Sequence, residues 1–88
     1  MKTPKQLERY FKGVANHRRL EILFLVNKNN GITLSQMAEE LDQDIKNISQ
    51  HSQRLVQAGL LNKKYQGLEV AHSLSPYGKH FIDFTNVF

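Results

Sequence analysis

Thr33-Leu34-Ser35-Gln36-Met37-Ala38-Glu39-Glu40-Leu41-Asp42-Gln43-Asp44-Ile45-Lys46-Asn47-Ile48-Ser49-Gln50-His51-Ser52-Gln53-Arg54-Leu55-Val56-Gln57-Ala58-Gly59 carries two helical patterns separated by three polar residues. Thr33 and Gln36 have capping-box spacing: the threonine hydroxyl can accept from the glutamine N–H while the glutamine side chain returns to the threonine N–H. Ile32 before the cap and Met37 at the fourth helical position are spaced as a hydrophobic staple. Leu34, Met37, Ala38 and Leu41 continue as a short apolar stripe. Asp42-Gln43-Asp44 has turn composition, and Asp44 is positioned to cap the next helix. There Ile48, Leu55 and Gly59 fall on one side with the small Ser52 between them, while Lys46, Asn47, Gln50, Gln53, Arg54 and Gln57 take the other. Two helices joined by a tight turn are expected, the second presenting an amide-rich basic face.

Upstream, Thr3 with Pro4 and Gln6 repeats the capping box, with proline where its missing N–H costs nothing. Leu7, Tyr10, Phe11 and Val14 form an apolar stripe opposite Lys5, Glu8, Arg9 and Lys12, and Gly13 weakens the last turn. Asn16 can cap a second helix, apolar on nearly every side through Leu20 and Ile22 to Val26, that stops at Asn29-Asn30-Gly31 and belongs at the centre. A strand over Ile22 to Val26 is the alternative, but the element from Asn16 to Asn29 exceeds strand length. Downstream, Leu60 to Tyr65 and Leu68 to Leu74 read as strands around Gln66-Gly67, with apolar alternation only at Leu68, Val70, His72 and Leu74. Ser75-Pro76 opens a last helix with Tyr77, Phe81, Phe84 and Phe88 on one stripe. No repeat or linker interrupts residues 1–88, which read as one domain of mainly α, α+β class: about five helices and a small β-hairpin.

The chain has 88 residues, 40% hydrophobic and 23% charged, the balance of a folded soluble protein. It contains no cysteine, which excludes disulfides, thiolate zinc sites and cysteine nucleophiles. The first five residues lack a signal-peptide stretch and the Ile22 to Val26 run is too short to span a bilayer, so a cytoplasmic location without membrane contact is expected. A net charge of +4 and an isoelectric point near 9.6 favour a polyanionic partner.

Helix, helix, short strand, helix, turn, helix, hairpin, helix is the order of a winged helix-turn-helix, in which the helix after the turn enters the DNA major groove. Asn16-His17-Arg18-Arg19-Leu20-Glu21-Ile22-Leu23 resembles the second-helix signature of ArsR-type regulators. Ser49-Gln50-His51 followed by Leu55 to Leu61 is similar to that family's recognition helix and wing entry, and Leu74 to Lys79 looks more like the MarR and PadR groups. The resemblance covers residues 10–80 and implies a double-stranded DNA-binding transcriptional regulator, with a recognition helix over residues 45–58 and a wing over residues 60–74. Asp42 stands where the family usually has glycine and Ser52 where it usually has leucine, departures that predict looser local packing. Leu68 and Glu69 replace the usual wing-tip arginine, which counts against minor-groove insertion.

Asn and Gln suit bidentate bonding to adenine, and Arg or Lys to guanine, so Asn47, Gln50 and Lys46 are the expected base readers. Gln53, Arg54, Lys63 and Lys64 are expected on the phosphate backbone. On an arbitrary helix such a face is merely solvated; its position after the turn is what favours reading. The lysine pair also protects a strand edge. Arg18 and Arg19 have two available roles, backbone contact or ion pairs with Glu21, Glu39 or Glu40.

His80 and Asp83 supply at most half a metal site, so neither metal nor cofactor is expected. No paired acids, phosphate-binding glycine loop or nucleophile elbow suggests an enzyme. Tyr10, Phe11, Phe81, Phe84 and Phe88, with Ile82 and Val87, exceed what a small core covers, which predicts a homodimer through the first and last helices. The alternative to DNA binding is a winged helix serving protein contacts inside a larger complex.

Overall fold

Capping chemistry sets the helix starts in the computed structural model, which describes residues 1–88. The elements are α1 (Pro4–Val14), α2 (His17–Lys28), α3 (Leu34–Glu40), α4 (Ile45–Gln57), β1 (Leu61–Gln66), β2 (Glu69–Leu74) and α5 (Pro76–Thr85). Thr3 and Thr33 each close a complete capping box. Asn16 Oδ1 accepts from the Arg18 and Arg19 N–H groups at 2.9 and 3.1 Å. Ser75 Oγ accepts from the Gly78 N–H at 3.0 Å and donates to the Gly59 carbonyl at 2.6 Å, which ties the start of α5 to the end of α4. Asp44 occupies the N-cap of α4, but its side chain makes no capping hydrogen bond, so only its charge beside the helix N-terminus favours that end.

The core gathers one face of every helix. Ile22, Leu23, Val26, Met37, Ile48, Leu55 and Leu60 are completely buried. Ile32 and Met37 both belong to this cluster, as the staple spacing requires. The expectation that α2, apolar on nearly every side, belongs at the centre holds for Ile22, Leu23 and Val26 and is corrected at Phe24, which is half exposed because it projects away from Ile22 and Val26.

The turn between α3 and α4 places Asp42 at φ +50°, the left-handed region in which glycine is the easy choice and Asp is tolerated. Gly59 is not on the buried face of α4 but just beyond its end, at φ +82°. Its N–H donates to Val56 O at 3.0 Å and the Leu60 N–H donates to Leu55 O at 2.9 Å, the paired bonds of a Schellman stop.

β1 and β2 pair antiparallel from Leu61↔Leu74 to Gln66↔Glu69, so the loop residues are Gly67 and Leu68, one position later than expected. The anticipated alternation in the second strand fails: Leu68 is fully exposed at the tip, whereas Ala71 and His72 are both buried. The inner half of β2 is sandwiched at its second edge by the segment before α3. Thr33 bridges Ala71, the Gly31 N–H donates to His72 O at 2.8 Å, and the His72 N–H donates to Ile32 O at 2.9 Å. That segment is the short strand read between the second and third helices.

In α5 the core-facing line is Gly78 and Ile82, and Gly78 lies so close to the Leu60 carbonyl oxygen that a Cβ there would collide. The aromatic stripe lies away from that line. Phe81 is half-buried, Tyr77 and Phe84 are about half exposed, and Phe88 lies beyond the helix and is almost fully exposed.

Candidate nucleic-acid interface

α4 displays Lys46, Asn47, Gln50, Gln53, Arg54 and Gln57 to solvent, because Ile48, Ser52 and Leu55 turn the opposite side into the core. Neither Lys46 nor Arg54 is engaged in an ion pair. The amides of Asn47 and Gln50 make no hydrogen bond within the chain. The face therefore carries donors and acceptors free for an outside partner, beside uncompensated positive charge.

Arg19 organises one flank of this face. Its Nη1 donates to Lys12 O at 3.0 Å and Gly13 O at 3.3 Å, satisfying carbonyls at the end of α1. Its Nε donates to His51 Nδ1 at 3.4 Å, which leaves the His51 proton on Nε2. Burial lowers the His51 pKa, and the neighbouring charges of Arg19, Arg18, His17 and Arg54 push the same way, so the ring is held neutral. A cavity of about 480 Å³ opens here between Arg19, His51 and Arg54, with no apolar residue in its lining. Next to it a shallower hollow joins Arg9 and Lys12 of α1 to Arg19 and Arg54. The sequence offered Arg18 and Arg19 the same two options; the structure separates them. Arg18 pairs with Glu21 at 3.1 Å, and Arg19 faces the groove. Arg9 and Lys12 were missed as neighbours of Arg54 because more than forty residues separate them in sequence; the only available signal was the basic polar face of the first helix.

The hairpin divides its two lysines. Successive strand side chains point to opposite faces. Lys63, opposite His72 in the ladder, shares a cavity wall with Gln53 of α4, and its Nζ lies 5.6 Å from the Tyr65 ring centroid. Lys64, opposite Ala71, projects from the other face. The structure thus brings Lys63 to the exposed face of α4 and does not bring Lys64 with it.

Among the apolar candidates, Tyr10 is only 8% exposed and its ring packs 5.0 Å from that of Tyr77, so it belongs to the chain's own core rather than to a free surface. Phe11 meets Phe81 edge-on at 5.4 Å, and Phe84 meets Phe88 in the same way at 5.3 Å. Phe11 and Phe84 remain about half exposed. Asp83 is paired with Lys79 at 3.1 Å and His80 lies against the Tyr77 ring. No group of three or more His, Asp and Glu gathers anywhere in the chain.

Helix-turn-helix, hairpin and closing helix define a winged helix-turn-helix, a fold that solved structures share. The chain belongs to the HVO_A0114 family, whose model matches residues 14–78. Reduced HlyU from Vibrio cholerae N16961 superposes with a TM-score of 0.82 at 27% identity, over 91% of this chain and 84% of that one. The transcriptional regulator HlyU from Vibrio vulnificus CMCP6 gives 0.80 at 24% identity, covering 94% and 86%. The homodimeric winged helix-turn-helix DNA-binding domain of Mycobacterium bovis Mb0332, a possible ArsR-family transcriptional regulator, gives 0.86 at 23% identity, covering 94% and 77%. No curated protein sequence matches the chain. No helix is long and apolar enough to cross a membrane.

Proposed function

We propose that residues 1–88 act as one domain that binds double-stranded DNA in a sequence-specific way and regulates transcription in the cytoplasm, without enzymatic activity. The observation that carries the reading is the solvent-facing row of unpaired Lys46, Asn47, Gln50, Gln53 and Arg54 on the helix after the turn. In the major groove, Asn47 and Gln50 offer bidentate contacts to adenine and Lys46 a contact to guanine. Gln53, Arg54 and Lys63, extended by Arg9 and Arg19 across the groove, hold phosphates, and Lys64 reaches a phosphate only from the outer face of the wing. Relatives of this fold described as transcriptional regulators support the regulatory role.

The working unit we infer is a homodimer through α1 and α5. Exposed Phe11 and Phe84 with half-buried Phe81, and the exposed Val87 and Phe88 just after α5, leave an apolar surface along those helices, and a two-fold protein matches a two-fold operator. Selection from a random duplex pool tests both parts. The expected product is a two-fold symmetric site with half-sites about ten base pairs, or a multiple of that, apart. Failure to enrich any sequence, with affinity equal across sequences, would favour the protein-contact alternative.

A further inference from the structure

Where the end of α1, the start of α2 and the second half of α4 meet, Arg9, Arg19 and Arg54 come together without an ion pair among them. Arg19 is fixed there by its bonds to the Lys12 and Gly13 carbonyls. The Arg9 guanidinium reaches the end of α4, where a Cβ at Gly59 would lie 3.8 Å from its Nη2. Two adjoining hollows share Arg19, Arg54 and Gln57 in their walls, and no carboxylate lines either. The only carboxylates on these three helices are Glu8 and Glu21, and they are engaged by Lys12 at 3.6 Å and by Arg18 at 3.1 Å. The larger hollow, about 480 Å³, holds on the order of fifteen water-sized groups at about 30 Å³ each, enough for a phosphate and its nearest waters.

His51 stands in this positive corner with its two nitrogens already distinguished. Nδ1 accepts from Arg19 Nε at 3.4 Å, so the proton of the neutral ring is on Nε2. Nε2 makes no hydrogen bond in the chain yet is not sealed off, since Ser52 Oγ and His72 Nδ1 are the only buried orphans, and the ring lines the larger hollow. Burial, then the charges of Arg19, Arg18 and His17 on α2 and of Arg54 on α4, hold the ring neutral, and Arg9 and Lys12 of α1 add charge of the same sign nearby. A second proton must enter at Nδ1, the atom that accepts from Arg19. That step breaks the Arg19–His51 bond and leaves two cations side by side, so it is favourable only with an anion between them. A phosphate meets the need: imidazolium offers two N–H donors, and the released Arg19 Nε and the Arg54 guanidinium add charge-assisted bonds to the same oxygens.

We propose that Arg19, His51 and Arg54 form a proton-linked phosphate clamp: one phosphate group enters the hollow, one proton from solvent adds to His51 Nδ1, and both leave together. The clamp stands on its own chemistry, and its consequence rests on the proposed function. In that setting the phosphate belongs to the duplex backbone beside the reading face of α4. DNA affinity then rises as pH falls through the range between the free and the phosphate-bound titration of His51, because the complex holds a proton that the free protein does not.

Two measurements on the full chain test the clamp. The His51 imidazole resonances are followed against pH in the free protein, with duplex DNA, and with inorganic phosphate against chloride at equal ionic strength. The association constant for duplex is measured from about pH 8 to about pH 6. His51 should titrate at higher pH with duplex or inorganic phosphate than with chloride. The association constant should rise on acidification by up to about tenfold per pH unit for each protomer. His51→Gln keeps a hydrogen-bonding side chain without a titrating group and should remove most of that rise, whereas His17→Gln, at the exposed start of α2, should keep most of it. A rise that survives whole in His51→Gln or disappears in His17→Gln overturns the clamp. So does an identical His51 titration in the wild-type protein with and without duplex and phosphate, a result that needs no variant to fold. A chain whose His51 responds to inorganic phosphate but that binds no duplex keeps the clamp and loses the DNA reading.

Discussion

The helix-turn-helix from Thr33 to Gly59 and the hairpin from Leu61 to Leu74 lie side by side but are held by different physics. In the first, capping, periodicity and burial coincide: Thr33 closes its box, Met37, Ile48 and Leu55 are completely buried, and Gly59 supplies the left-handed stop. In the second, only the inner end is buried. Leu61, Ala71 and His72 reach the core, while residues 62–69 are exposed on both faces. A two-stranded ribbon has little independent stability, and this one is anchored by Thr33 and the Gly31 to Ile32 backbone at its open edge. The firmly packed partner suits base reading, and the weakly held one suits adjustable contact with phosphate.

Truncation should expose that contrast most strongly. Ile48→Ala is expected to cost about 2–5 kcal/mol of stability, as for a large core side chain, whereas Leu68→Ser at the hairpin tip should stay within about 0.5 kcal/mol. Urea unfolding of the two variants checks this, and equal losses would deny the difference. Gly59→Ala should cost about 1–2 kcal/mol, because its φ of +82° lies where a Cβ is strained. The smallest effect expected is one of pH. Burial lowers the His72 pKa below its usual 6.5, so the unfolded chain binds the proton more tightly than the folded one. The stability from a neutral His72 is complete above about pH 6.5 and is lost as pH falls through the depressed folded value. The urea midpoint should therefore be lower at pH 5.5 than at pH 7.5, and His72→Gln should reduce that difference without removing it, since the His51 pKa is lowered too. An unchanged difference in the variant would remove His72 from the account.

The same contrast explains what the sequence disclosed. Local rules marked α3, α4 and the turn: a threonine capping box, an apolar stripe and a glycine stop each act within a few residues. The exposed face of α4 was legible for the same reason, since Lys46, Asn47, Gln50 and Arg54 follow from helical periodicity once Ile48 and Leu55 are placed inside. Across the hairpin that reasoning failed. Alternation assigned Leu68 inward, but burial of β2 is decided by the distant Gly31 to Thr33 segment, which no local pattern reveals. The apolar stripe carrying Tyr10 reads as too large for one core and so as interface, yet Tyr77 of α5 covers Tyr10. The sequence allows Arg19 two roles, and the α1 carbonyls with His51 fix its direction. Lys63 and Lys64, adjacent in sequence, are opposed in space by strand alternation alone, a local rule that also separates their roles.

The central claim is that α4 reads bases and the hairpin holds the backbone, and one paired titration tests it most directly. The affinity of Asn47→Ala, Gln50→Ala and Lys63→Ala is measured on a selected duplex and on an unrelated one across a series of salt concentrations. Wild-type affinity should fall with a logarithmic salt slope of roughly −4 to −8. Asn47→Ala and Gln50→Ala should lose about 1–3 kcal/mol on the selected duplex alone, relax the preference at one base pair and leave the slope unchanged. Lys63→Ala should weaken both duplexes equally and reduce the slope by about one unit for each phosphate the lysine no longer neutralises. Amide variants that keep full sequence preference would contradict the assignment of α4 as the reading helix.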